Sequence, residues 1–298
     1  FSGYFYNQNE NEFPVFLFNV FNHFNEMADS PEKIRASYVL MRETMDLLIN
    51  FFQDGNTCEI LVRKIINGLR FPNIFCQFAA LQVLSNASRY LPDFQKNYNP
   101  EILQELLPYI QSNLSSSQFA LEALLYIISG SDDKDIEEYL DLLYQLLISI
   151  FNQIPISSQV FDLKCISSLI TKTGNKMEQY YDIILPHLVS VIQLNNLKLT
   201  LPAIEAFSMI GFVDVSEQFI NDSKKFIDFI LTIKRENFTD DQNNTISSAI
   251  SALVTKIGDH YPDSFAQLML SVIEIINQPI APQQLPLTSD RSDINDEV

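Results

Sequence analysis

One segment of this chain recurs along its length, and the recurrence decides what the chain can fold into. Gln77-Phe78-Ala79-Ala80-Leu81-Gln82-Val83-Leu84 superposes on Gln118-Phe119-Ala120-Leu121-Glu122-Ala123-Leu124-Leu125 with a shift of 41 residues, and that on Val160-Phe161-Asp162-Leu163-Lys164-Cys165-Ile166 with a shift of 42. Weaker copies run through Leu201-Pro202-Ala203-Ile204-Glu205-Ala206-Phe207 and from Ile246 to Leu253. Between the copies lies a second ladder, Glu138-Tyr139-Leu140-Asp141, Gln179-Tyr180-Tyr181-Asp182 and Gln218-Phe219-Ile220-Asn221, at a similar interval. Two interleaved ladders mean a repeated pair of elements, and a period of this length marks a stacked array rather than a single closed core.

Both elements are helical. Ile102-Leu103, Leu106-Leu107 and Ile110, and then Leu140, Leu143, Leu147 and Ile150, fall three or four residues apart and cover one helix face. Ser30-Pro31-Glu32, Asn99-Pro100-Glu101 and Tyr261-Pro262-Asp263 place Pro near a first turn, where its missing N–H costs nothing. Gly130, Gly174 and Gly258 each follow the second helix of a pair, where a left-handed cap needs no Cβ, while Gly211 is the poorer fit. Pro108 and Pro186 fall inside first helices two repeats apart and predict a kink there. A kinked helix paired with an antiparallel partner every 40 residues or so is the HEAT pattern. The expected fold is therefore all-α, a right-handed superhelical solenoid of six to seven helix pairs over 13–277. Residues 1–12 read as a frayed start and 278–298, broken by Pro279, Pro282 and Pro286, as an acidic loop or tail.

Composition supports a large core and narrows the partners. Of 298 residues 47% are apolar, including 23 Phe and 12 Tyr, which is more than a disordered chain carries. Nineteen Lys and Arg against 37 Asp and Glu give a net charge of −18, which repels a phosphate backbone and an anionic membrane face, so nucleic acid and membrane are not expected partners. Basic proteins are. An acidic coat that only keeps the chain in solution is the plainer alternative. No apolar run is long enough to span a bilayer, and the start at Phe1-Ser2-Gly3-Tyr4 lacks both Met and a basic leader, so the sequence reads as a soluble piece of something longer.

No reaction is written into the sequence. Cys58, Cys76 and Cys165 are odd in number and lack paired spacing, which argues against a disulfide framework or a zinc site and for a reducing compartment. His23, His187 and His260 sit on separate repeats, and seven glycines form neither a dinucleotide fingerprint nor a phosphate loop. The run Asp132-Asp133-Lys134-Asp135-Ile136-Glu137-Glu138 lacks the Gly and bidentate Glu of a calcium loop and reads as acids complementing a helix dipole. No catalytic residue, cofactor or metal is expected, and the chain is expected to work by surface. One phase of the second helices gives Leu81, Glu122, Lys164 and Glu205, a column of mixed charge. Glu122, Lys164 and Glu205 are the expected partner-facing residues, joined by Asp290, Asp293, Asp296 and Glu297 of the tail.

A family resemblance follows from particular words in the chain. Tyr180-Tyr181-Asp182-Ile183-Ile184-Leu185-Pro186-His187-Leu188, then Ala203-Ile204-Glu205-Ala206-Phe207-Ser208-Met209-Ile210-Gly211, then Glu217-Gln218-Phe219-Ile220-Asn221-Asp222 resemble the middle HEAT repeats of the importin-beta superfamily, in its importin beta-3 branch. Pro92-Asp93-Phe94-Gln95-Lys96 and Glu138-Tyr139-Leu140-Asp141 resemble words of the same branch, in the same order, from about residue 72 to 277. The resemblance implies a segment of a nuclear import receptor of cytoplasm and nucleus, carrying basic protein cargo through the pore and unloaded by Ran in its GTP form. It also implies slots for Phe-Gly nucleoporins between first helices, with Phe226 and Phe229 on one helix and Tyr139 and Tyr144 on another as candidates. A HEAT scaffold, such as a phosphatase regulatory subunit or a tubulin-binding array, shares the fold and stays open as the alternative.

Overall fold

A computed structural model describes residues 12–26, 30–53, 55–90, 99–111, 116–194, 196–213, 217–232 and 238–257, with Leu270 and Ile273 beyond them. The expected frayed start up to residue 11, the repeat end from 258 with Gly258, and the acidic tail lie outside these residues. So do Asp290, Asp293, Asp296 and Glu297.

Helices follow one another in antiparallel pairs: α1 (Phe13–Glu26) with α2 (Pro31–Leu48), α3 (Gly55–Arg70) with α4 (Ile74–Tyr90), and α5 (Asn99–Ile110) with α6 (Ser116–Gly130). The short α7 (Asp133–Glu137) precedes α8 (Leu140–Ile150), which pairs with α9 (Ile156–Thr173). Then come α10 (Glu178–Gln193) with α11 (Leu197–Val213), and α12 (Glu217–Thr232) with α13 (Asp240–Ile257). Six pairs stand among the described residues, with no strand. Some local signals act as the sequence leads one to expect, but Gly130 is the last residue of α6 and lacks the left-handed backbone expected of a cap. Ser30 caps α2 through its side chain ahead of Pro31, and the Asn73 side chain accepts from the Phe75 and Cys76 amides to open α4. Gly174 ends α9 at φ +52°, a conformation that penalises any Cβ. Pro108 and Pro186 lie inside α5 and α10, and Gly211 lies inside α11, away from its end.

The pairs stack so that the second helices α2, α4, α6, α9, α11 and α13 form one layer and the first helices the other. The two layers are held differently. Successive second helices meet along a continuous apolar seam of small residues and leucines, with Ala79, Ala80, Ala120, Ala123, Leu163, Ala203 and Ala206 all buried. Some polar groups in that seam are paired, the Ser117 and Ser158 hydroxyls meeting at 2.8 Å and the Cys165 thiol donating to the Leu121 carbonyl at 3.3 Å, whereas the buried Asp162 carboxyl has no hydrogen bond. Successive first helices touch more sparsely, through polar atoms and through single ring contacts such as Tyr144 with Tyr180 at 4.8 Å. Arg70 reaches Glu105 at 2.6 Å and Glu101 at 3.4 Å, Tyr109 donates to the Leu69 carbonyl at 2.5 Å, and just ahead of α8 and α10 Lys176 pairs with Glu137 of α7. The core of each pair is filled by the largest residues, among them Phe21, Tyr38, Phe151, Phe207 and Phe219.

Candidate functional site

Two surfaces follow from this layering. The first is the exposed face of the second helices, where Phe78 and Phe119 meet edge to face with ring centroids 5.2 Å apart. These rings occupy equivalent places in neighbouring repeats, as the 41-residue shift requires. Phe161, two repeats beyond Phe78, lies under the Lys164 ammonium at 5.6 Å, so a half-buried aromatic ridge runs across α4, α6 and α9. Beside it Glu122 is half-buried and Lys164 and Glu205 are exposed, each on its own helix. The column is of mixed charge, and the structure does not gather these three into one pocket. Leu81 departs from the column: it is fully buried, and Gln82 is the residue that reaches the surface, accepting from Arg42 at 2.5 Å. The 41-residue shift matches the two helices through Ala80 and Leu121, and from Leu81 onward the exposed position falls one residue later, 100° of helix rotation.

The second surface is a groove of about 250 Å³ between α10 and α12. Leu185, Val189 and Ile192 recur every third or fourth residue on α10 and form one wall, and Asp222, Lys225, Phe226 and Phe229 do the same on α12. Phe207 of α11 closes the floor, stacked on Phe226 at 3.8 Å and on Phe219 at 5.7 Å. Phe229 is exposed at the lip. Pro186 has no N–H to return to the preceding turn, so α10 lacks one backbone hydrogen bond beside Leu185. The polar end of the groove is Asp222, which accepts from the Tyr181 hydroxyl at 3.1 Å and from Lys225 at 3.1 Å. An apolar slot of this size takes one or two side chains rather than a small-molecule substrate, whose pockets begin at about 300 Å³.

Phe226 and Phe229 thus line one slot together. Tyr144 is different: it is fully buried in α8, its hydroxyl is bonded to Thr173 at 2.8 Å, and burial pushes its phenol far up, so it is a core residue and no contact for a ligand. Tyr139 is half-buried against the core. The acidic run is a short helix: Asp132 precedes α7 without a side-chain capping bond, and Asp133 and Asp135 lie in its first turn. With Glu137, Glu138 and Asp141 opposite Lys134 and Lys176 it edges a polar cleft of about 480 Å³ toward α10, where Tyr180 donates to Asp141 at 2.7 Å. Among the described residues no group of three or more His, Cys, Asp or Glu is placed to hold a metal ion, and no helix is long and apolar enough to cross a membrane. His187 packs edge to face on Phe151 at 4.9 Å, and burial lowers its pKa to about 4, so the ring is neutral.

Comparison with known proteins completes the picture. The family model described as RAI16-like, Retinoic acid induced 16-like protein, matches residues 38–199, more than half of the chain. Importin subunit beta-3 of Saccharomyces cerevisiae is 26% identical over 219 residues, 72% of this chain and 20% of its own length. The chain belongs to the RAI16-like family and to the importin-beta superfamily. Among solved structures, Kap121p bound to Pho4p superposes with a TM-score of 0.70 at 22% identity, covering 86% of this chain and 24% of that one. Kap121p by itself gives 0.69 at 23%, and Kap121p bound to Ste12p 0.69 at 20%, each covering 85% of this chain and 24% of the other. These likenesses show the HEAT-repeat solenoid. The chain spans about a fifth to a quarter of the length of these relatives.

Proposed function

We propose that this chain is a segment of a nuclear import receptor that binds protein cargo on the face of its second helices and Phe-Gly nucleoporins in the groove between α10 and α12. The observation that carries the reading is the groove itself, an aromatic-floored slot of about 250 Å³ between successive first helices of an importin-beta-superfamily solenoid. A phenylalanine side chain fits its Phe207, Phe226 and Phe229 lining, while Asp222, Lys225 and Gln193 stand ready for the peptide backbone. The aromatic ridge with Glu122, Lys164 and Glu205 is the cargo-facing surface, and the net charge of −18 favours basic cargo by long-range attraction. The segment works by recognition without chemistry, in a receptor that moves between cytoplasm and nucleus under Ran control. The Kap121p structures with Pho4p and Ste12p support binding of protein cargo.

Titrating the chain with a Phe-Gly peptide while following methyl signals is expected to shift Leu185, Val189 and Ile192 together, with weak, rapidly exchanging affinity. Phe229→Ala, which removes the exposed lip, is expected to weaken the peptide about fivefold to thirtyfold, an aromatic contact being worth about 1–2 kcal/mol. Shifts confined to other repeats would overturn the assignment of the groove. Capture of a panel of purified basic nuclear proteins by the full receptor, released by Ran in its GTP form, tests cargo; capture of phosphatase or tubulin subunits alone would favour the scaffold.

A further inference from the structure

Tyr180 and Tyr181 are neighbours on α10, yet their hydroxyls bond in opposite directions along the solenoid. Tyr180 donates backward to Asp141 of α8, and Tyr181 donates forward to Asp222 of α12. Along α10, Tyr181, Leu185 and Val189 are each four residues apart, so Tyr181 sits one turn before the groove-lining residues and on their face. Along α12, Asp222 is the first groove residue, followed by Lys225, Phe226 and Phe229. The Tyr181–Asp222 bond therefore bridges the two walls at the amino-terminal end of the groove. Two further contacts join them there. Gln218 reaches Asp182 at 3.4 Å on the exposed rim, and the edge-to-face contact of Tyr181 with Phe219, at 6.4 Å, lies below.

We infer that the Tyr181–Asp222 hydrogen bond is a strap that sets the width of the α10–α12 groove and so selects the size of side chain it admits. The inference rests on the groove reading above. Tyr181 is a positioning residue: it is absent from the groove lining and acts by holding Asp222, which Lys225 engages through the other carboxylate oxygen. With the strap made, the slot is matched to one phenyl ring. Without it the first helices keep here the Tyr181–Phe219 ring contact and the rim contact of Gln218 with Asp182, the walls part at the end of the groove and the slot loses that match.

The test compares two peptides on the full chain, one presenting Phe between glycines and one presenting Trp in its place. The wild type is expected to prefer Phe by about tenfold. Tyr181→Phe keeps the ring on Phe219 and removes only the hydroxyl. It is expected to weaken the Phe peptide about threefold to tenfold, the effect of a net 0.7–1.4 kcal/mol bond, and to leave the Trp peptide unchanged or tighter, so that selectivity collapses. Asp222→Ala on top of Tyr181→Phe is expected to restore no preference, and the two losses are expected not to add. A merely structural role would weaken both peptides in parallel and lower the denaturation midpoint. That parallel loss, or a Tyr181→Phe chain with the wild-type preference intact, overturns the strap while leaving the groove standing. A wild type that binds neither peptide overturns the groove reading and the strap with it.

Discussion

Asp162→Ala raises the stability of the folded chain by about 1–3 kcal/mol at neutral pH, the cost of a buried polar group left without a partner. Asp162 is wholly buried in α9, in the seam between α6 and α11, and neither carboxylate oxygen has a hydrogen bond. The repeat supplies the control. Positions 79, 120 and 203 stand in the same place in α4, α6 and α11, and each is a buried alanine. Burial drives the Asp162 carboxyl well above the usual carboxylate range, so it folds as the neutral acid. In the unfolded chain the same group releases its proton near pH 3.9. Folding therefore takes up a proton, and the stability of the wild type falls as pH rises from about 4 toward the raised value. Urea midpoints of wild type and Asp162→Ala between pH 4.5 and 8 should diverge steadily, the variant gaining with pH. A gap that does not change with pH would show that Asp162 carries no proton in the folded chain.

Gly68→Ala is expected to cost about 2 kcal/mol, against the usual preference of a helix for alanine. Gly68 lies in α3 beneath the Tyr38 ring, and a Cβ there would stand 2.5 Å from Tyr38 Cζ and 2.8 Å from Ala80 Cβ, where carbon atoms need about 3.5 Å or more. The ring has no room to retreat. Its hydroxyl donates to the Lys64 carbonyl at 2.5 Å, and Phe21 meets it at 5.9 Å. Tyr38→Leu by itself leaves a cavity, but in the double variant the added methyl fills part of it. The pair should therefore lose clearly less than the sum of the two single losses, read as urea midpoints. Simple additivity would mean that Gly68 is constrained by its backbone rather than by the ring.

How much of this was legible in the sequence depends on the distance over which each signal acts. Helix pairs, their caps at Ser30 and Gly174 and the internal prolines are local or periodic, and the period survives in the sequence because each repeat buries the same face. Phe226 and Phe229 came forward through the family resemblance, not through the period, and the structure places them on one slot. Side-chain direction was not. Leu81 points into the core while its counterpart Glu122 reaches the surface, and Tyr144 fills the core of its pair although its period alone allows a surface place. The Tyr181–Asp222 contact spans 41 residues and depends on how two helices are rotated against each other, which no single-helix pattern encodes. Asp162 had a signal: an acid in a slot where three other copies carry Ala.

The unequal seams make the array behave as a leaf spring. The apolar seam of the second helices resists any change in length, because parting those helices exposes surface that water does not reward. The clasps between first helices exchange a protein partner for water at a net cost of about 0–1 kcal/mol each for exposed ion pairs. Bending therefore has one soft direction, a fanning of the first helices about the second, and elastic work done anywhere along the array is stored mostly in whichever first-helix clasp is weakest. A ligand that grips the second-helix face and one that wedges the groove between first helices pull on the same coordinate from opposite sides.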